Sequence, residues 1–348
     1  MIKLEEQIRH LWYVISEIRK SKRPIQSTSD KNRIFLFGIP KYMNYGDLGI
    51  AQAEKEFLHR YFPEKELISV SESRTDVQLK YLKRVISKTD IIAISGGGNM
   101  NDLYPFQDEM RIKIFKMFPN NRIISFPQSV AYNLSDTHSS FYNMIDSLKE
   151  NTETFIFTRD KISFNFVEKN FPTNVNVFLT PDIALNLKNN EIVKRKNIIT
   201  TFLRKDSEKL ENKEISQLVS KLDQDYIIKN SDTVEAMWMH VITNKNLKKL
   251  VDNKLAEFSS SKLIITDRLH GMIFSIVTGT SAIVFDNSNH KIKYAYEDWF
   301  TDIPYIYYAD NYSDLYKLSK NIMEDNNIKT KIPNLTKKYD SLIKAFTI

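Results

Sequence analysis

The chain has 348 residues, 42% of them hydrophobic and 12% aromatic, which allows two packed domains and excludes a disordered chain. It has no cysteine, so disulfides, thiolate metal sites and a cysteine nucleophile are excluded, and a reducing, cytoplasmic compartment fits. The net charge of +7 is dispersed rather than gathered in a block, which argues against a nucleic-acid tail but suits an anionic small substrate or membrane surface.

The N-terminus carries Leu4, Ile8, Leu11, Ile15 and Ile18 at spacings of four and three, one face of an amphipathic helix over residues 1–30. Glu5, Glu6 and Arg9 interrupt any apolar core of the kind a secretory signal needs. Two roles are open for this helix. It docks or dimerises, giving a homo-oligomer, or it rests on the inner face of the cell membrane through Trp12 and Tyr13 with the basic Lys20, Lys22 and Arg23. No apolar run reaches the roughly 18 residues of a bilayer span.

From Arg33 onward, short apolar runs alternate with amphipathic stretches. "RIFLFGI", "ELISV", "DIIAIS", "NRIISF", "TFIFT" and "NVNVFLT" read as strands, each followed by a helical pattern. The polar "KNNEIVKRK" at 188–196 reads as a linker. A shorter series follows, with "NIITTFL", "DYIIK", "KLIIT" and "SAIVF" as strands. Leu335, Tyr339, Leu342 and Phe346 then share one face of a C-terminal helix that straps the halves together. Strand–helix alternation with apolar strands specifies parallel sheets. The predicted fold class is α/β, with two Rossmann-like domains facing a cleft, residues 31–190 and 191–325, and a helical tail at 326–348.

Ligands in such sheets bind beyond the carboxyl ends of the strands. Seven polar clusters fall at those ends: 41–47, 95–102, 127–129, 158–160, 203–205, 266–271 and 286–291. One such cluster is an ordinary helix cap, whereas seven suggest a functional rim. In the second, Gly96, Gly97 and Gly98 are three of only eight glycines and are followed by Asn99. Consecutive glycines let a backbone approach a ligand and aim its N–H groups at it, although a tight turn makes the same demand. The run is neither a dinucleotide-binding nor a Walker pattern. In "TDRLHGMIF", Arg268 and His270 stand at a helix start, where an anion is favoured, Arg binds it in two-point fashion and His exchanges a proton near neutrality. Lys291, after the next strand, ends nearby. No metal-ligand spacing occurs among the other histidines, and no metal is expected.

"NYGDLGI", "GGGNMNDLYP", "FPQSV", "TRDKIS", "TPDIAL" and "DRLHGMIFSIVTG…DNSNHK" together resemble the polysaccharide pyruvyl transferase family, closely so the enzymes of bacterial biofilm and capsule loci. The resemblance runs from about residue 33 to residue 300 and leaves both termini uncovered. It implies a fold similar to GT-B glycosyltransferases, with the acceptor on the first domain and the donor on the second. It also implies transfer from phosphoenolpyruvate to two hydroxyls of a sugar, giving a pyruvate ketal in an exopolysaccharide or capsule precursor, with no cofactor beyond that donor. The counterparts of Arg159, His270 and Lys291 are implicated in function.

On that reading Arg159, Arg268 and Lys291, with the helix start at Gly271, hold the donor, and His270 is the acid–base group. Asp47 and Asp102 orient or deprotonate the acceptor hydroxyls, or else cap a helix and hold a turn. The glycines, Asn99, Gln128 and Asn287 complete the substrate contacts. Asn101 stands where the family usually has glycine. A lipid-linked sugar acceptor would give the N-terminal helix a purpose. Two other readings stay open, a nucleotide-sugar glycosyltransferase and an inactive sugar-binding homologue; nucleic acid is excluded by the dispersed charge.

Overall fold

The computed structural model describes residues 32–189, 194–204, 213–235, 242–244, 246–309, 314–325, 330 and 332–347, so the amphipathic segment expected over 1–30 lies outside the described residues. Seven strands form the first sheet: β1 (Arg33–Ile39), β2 (Glu66–Ser71), β3 (Ile91–Ile94), β4 (Gly97–Asn101), β5 (Arg122–Ala131), β6 (Glu153–Thr158) and β7 (Val175–Leu179). Their order is β2-β1-β3-β5-β6-β7, with β4 beside β5, and every pairing is parallel. The second sheet carries β8 (Lys196–Phe202), β9 (Ile227–Ser231), β10 (Ser261–Thr266), β11 (Ser281–Val284) and β12 (Ile306–Tyr308) in the parallel order β12-β11-β10-β8-β9. β1 and β3 are buried along their whole length, as strands covered on both faces must be, which is why they read as unbroken apolar runs. The chain is thus α/β, with two Rossmann-like halves.

Helices cover these sheets. In the first half they are α1 (Tyr45–Tyr61), α2 (Glu72–Val85), α3 (Pro105–Met117), α4 (Phe141–Leu148) and α5 (Lys161–Asn170). In the second they are α6 (Lys213–Leu222), α7 (Leu247–Ser259), α8 (Leu269–Thr278), α9 (Lys291–Trp299) and α10 (Leu315–Glu324). α1 joins the halves into one core. Its Leu48, Ile50, Ala51 and Phe57 belong to the same buried cluster as Phe258, Met272 and Phe274 of α7 and α8. A Cβ at Gly49 would stand 2.9 Å from the Phe274 ring, so glycine sets how closely α1 and α8 approach. Backbone bonds cross as well, from Tyr45 N–H to the Thr233 carbonyl at 2.7 Å and from Glu235 N–H to the Met43 carbonyl at 2.8 Å.

The tail forms a 3-10 turn, Thr336–Tyr339, and a short helix, α11 (Asp340–Phe346). It returns to the first half, where Phe346 packs 5.5 Å from Phe62 and 5.6 Å from Phe126, ring centre to ring centre. Tyr339, wholly enclosed, donates its hydroxyl to the Asp182 carbonyl at 2.7 Å. Removing a ring buried in this way costs about 3–5 kcal/mol.

One local expectation changes. The glycine triplet is not a free loop: Gly97 pairs with Gln128 and Met100 with Val130, so the segment continues the sheet as β4. Gly97 has φ of 131°, a value that L side chains rarely adopt, and there the triplet does need glycine.

Candidate active site

The strand-end clusters of both halves meet around a cleft of about 220 Å³. The first half supplies Tyr42, Asn44, Asp47, Gly98, Asn99, Tyr104, Gln107 and Arg159; the second supplies Arg204, Thr233, Arg268, Leu269, His270, Asn287 and Lys291. Asn44 caps α1 by accepting from Gly46 N–H at 3.0 Å, which sets Asp47 in the first turn facing the cleft.

Cationic groups dominate. Arg159 follows β6, and the surrounding protein fixes its guanidinium: Nε donates to Ser129 Oγ at 2.8 Å, and one terminal nitrogen donates to Asp182 Oδ2 at 2.7 Å. The other terminal nitrogen faces Gly98, where a Cβ would come within 2.7 Å of it. Lys291 opens α9, and its Nζ donates to the Gly98 carbonyl at 3.3 Å, so one glycine brings together cations from both halves. Arg268 is the N-cap of α8 and pairs with Asp232 at 2.9 Å. Arg204, after β8, gives its backbone N–H to Asp267 at 2.7 Å and also lines the cleft. Buried among them, Asn287 keeps its side-chain oxygen without a hydrogen-bond partner.

His270 lies in the first turn of α8. Its Nε2 is sealed from solvent 3.6 Å from Asp182 Oδ2, while its Nδ1 edge lies so close to Gly46 that a Cβ there would stand 2.2 Å from Nδ1. The Nδ1 edge thus packs against the first turn of α1, and the ring lines the cleft. Burial alone would raise the Asp182 carboxyl, but His270, Arg159 and the Ala184 N–H outweigh it and hold the group well below the usual carboxylate range. Asp47 behaves oppositely. Desolvation pushes it up, against the charges of His270 and Arg159 and the hydroxyl of Tyr42. Two carboxyls beside one imidazole are thus driven apart, one held as an anion and the other made easier to protonate, an arrangement that supports acid–base chemistry.

The structure corrects several expected contacts. Asp102 lies outside the cleft lining: it accepts from Asn133 N–H at 2.7 Å and from Ser139 Oγ at 2.6 Å, and so holds a turn. Gly96 gives its N–H to Glu54 of α1 at 2.7 Å rather than to the cleft. Gln128 is fully buried and donates to the Ser95 carbonyl at 2.6 Å, supporting the glycine segment from beneath. Gly271 faces β10, where a Cβ would collide with Thr266 Oγ1 at 2.2 Å; its role is close helix–strand packing. Gly97 borders the site instead, with Asp47 Oδ1 3.9 Å from where its Cβ would be. Asn101, in place of glycine, donates to the Gly98 carbonyl at 2.9 Å and needs no left-handed backbone.

Sequence reasoning passed over Asp182, Arg204 and Tyr42. Tyr42 and Arg204 lie within the strand-end clusters 41–47 and 203–205 without having been singled out, and Asp182, just beyond β7, is the one that the strand-end rule could have added. Glu54 carried no such signal, because it lies mid-helix on a face that reads as core. Among the described residues, no group of three or more His, Asp or Glu side chains is placed to hold a metal ion.

Residues 44–289 match the family described as polysaccharide pyruvyl transferase. The chain is 34% identical to General stress protein 30 of Bacillus subtilis over 96% of both chains. It is 28% identical to Pyruvyl transferase 1 of Schizosaccharomyces pombe, across 77% of this chain and 69% of that one. A solved structure of a functionally uncharacterized protein from Klebsiella pneumoniae shares the fold, with a TM-score of 0.58 and 20% identity over 80% of this chain and 94% of that one. By the length of that family match and the near full-length relative, the chain is a member of the polysaccharide pyruvyl transferase family and a transferase.

Proposed function

We propose that the cleft transfers the pyruvyl group of phosphoenolpyruvate to two hydroxyls of a sugar in an exopolysaccharide precursor, closing a pyruvate ketal and releasing phosphate. The observation that carries this reading is the convergence of Arg159, Arg204, Arg268 and Lys291 on one small cleft that also holds His270. Phosphoenolpyruvate is a compact anion with a phosphate and a carboxylate, and several fixed cations are what it requires.

The donor's methylene carbon takes a proton and becomes the methyl group, while the first sugar hydroxyl bonds to the adjacent carbon and gives up its proton. The carbon–oxygen bond to phosphate then breaks, the second hydroxyl bonds to the same carbon, and its proton leaves with phosphate. His270 delivers and receives protons, with the Asp182 carboxylate beside its Nε2. Asp47, beside it, orients the acceptor hydroxyls. The arginines and Lys291 stabilise the departing phosphate.

The test is thermal stability with phosphoenolpyruvate and with a panel of nucleotide sugars. A ligand that binds only the folded state stabilises it by about 2.7 kcal/mol at one hundred times its Kd. A rise in Tm with phosphoenolpyruvate, lost in Arg268→Ala, supports the reading. A rise with a nucleotide sugar alone replaces it with glycosyl transfer.

A further inference from the structure

Asp102 fastens the turn after β4 to residues 133–139 through Asn133 and Ser139. The fastened turn displays Leu103, 73% exposed, and Phe106, 46% exposed, with Tyr104 between them on the cleft wall. On the other side of the fastening, Tyr142, 51% exposed, donates its hydroxyl to the carbonyl of the exposed Leu134 at 2.9 Å. These bonds hold beside one another the two segments that carry five large exposed apolar side chains, a shelf that Tyr104 connects to the cleft wall. Exposed apolar groups gathered in this way mark a ligand surface, whereas scattered ones need no explanation.

The cleft, of about 220 Å³, opens to solvent. It accommodates a small donor and the reacting edge of one sugar, and a polymer must continue outside. We propose that the shelf of Leu103, Tyr104 and Phe106, with Leu134 and Tyr142, is an extended subsite for the glycan acceptor. It takes the apolar faces of the rings next to the sugar that is modified. The proposal rests on the reading of the cleft as a pyruvyl-transfer site. Aromatic faces are suited to such stacking, and the amides of Asn99 and Gln107 on the adjoining cleft wall are suited to ring hydroxyls. A bilayer is the poorer match, because neither residues 99–106 nor residues 133–142 contain a lysine or arginine to meet anionic headgroups.

The experiment measures phosphate release from phosphoenolpyruvate with methyl galactoside, glucoside and mannoside, and with the matching tetrasaccharides, on wild type and on the Leu103→Ser/Phe106→Ser double variant. Both substituted side chains are exposed, so the variant is expected to fold, which its Tm verifies. The wild type is expected to prefer the tetrasaccharides, and the variant to lose that preference by about tenfold in kcat/KM, with its phosphoenolpyruvate-induced Tm shift retained. Equal turnover of short and long acceptors by the wild type overturns the subsite while leaving pyruvyl transfer intact. An equal loss for both acceptor lengths in the variant overturns it as well. So does binding of wild type, but not the variant, to phosphatidylglycerol vesicles with unchanged length preference. A wild type that neither binds phosphoenolpyruvate nor releases phosphate removes the underlying reading, and the subsite with it.

Discussion

His270 and Asp182 come from different halves of the chain, and Nε2 of one stands 3.6 Å from Oδ2 of the other, in a space closed to solvent. The same oxygen accepts from Arg159 at 2.7 Å, so one carboxylate sets the position of both a candidate acid–base group and a candidate anion-binding group. The carboxylate beside Nε2 favours a proton on that nitrogen in neutral His270. Asp182→Asn is expected to lower kcat by about 10²-fold or more and to change the tautomer ratio read from imidazole ¹⁵N shifts. Unchanged ¹⁵N shifts would mean that Asp182 does not set the tautomer.

Gly46 is where the His270 ring rests. A methyl group there would overlap Nδ1, which it would meet at 2.2 Å, so the ring must rotate away. Gly46→Ala, in the first turn of α1, should leave the helix intact while reducing kcat about 10²-fold, the scale of a 1 Å misplacement. Wild-type kcat in a folded Gly46→Ala protein would show that this ring position is not the reactive one.

Arg159→Lys keeps the charge and loses the geometry. Lysine cannot hold Asp182 and Ser129 together while presenting another donor beside Gly98. Losing the bond to Ser129 while the charge on Asp182 stays paired is expected to lower stability by about 1–3 kcal/mol and to abolish the Tm rise with phosphoenolpyruvate. Urea unfolding with and without the donor measures both.

Glu54 is fully buried, with Gly96 N–H and the Ser95 hydroxyl as its partners, and burial pushes its carboxyl up to about 8 against their opposing pull. The raised value fixes the sign. The stability contributed by protonated Glu54 is complete below the unfolded value near 4.3 and is lost as pH rises through about 8. Over that window the slope from this one group is about −1.4 kcal/mol per pH unit. Glu54→Gln should flatten the profile of unfolding free energy between pH 5 and 8; an equally steep profile would assign the slope to other groups.

The strands were legible because buried parallel strands must be apolar throughout, as "IIAI" and "LIIT" are. The rim was legible because polar residues just beyond a strand have few reasons to be there, and Arg159, Arg268, His270, Asn287 and Lys291 all reach the cleft. Direction was not legible. Gly96, Gln128 and Gly271 belong to the strand-end clusters, yet they face Glu54, Ser95 and Thr266, because which way a group at a strand end faces depends on neighbours distant in the chain. Asp102 shows the same limit, since its partners lie 31 and 37 residues away.

The bond from Tyr339 to the Asp182 carbonyl spans 157 residues of chain. A ribosome adding about 5–20 residues per second releases Tyr339 roughly 8 to 30 s after Asp182. Throughout that interval the first half has its strands but lacks the segment that covers Phe62 and Phe126 and braces Asp182. A nascent chain would thus complete this packing, and the bracing of Asp182, only when residues 339–346 have emerged.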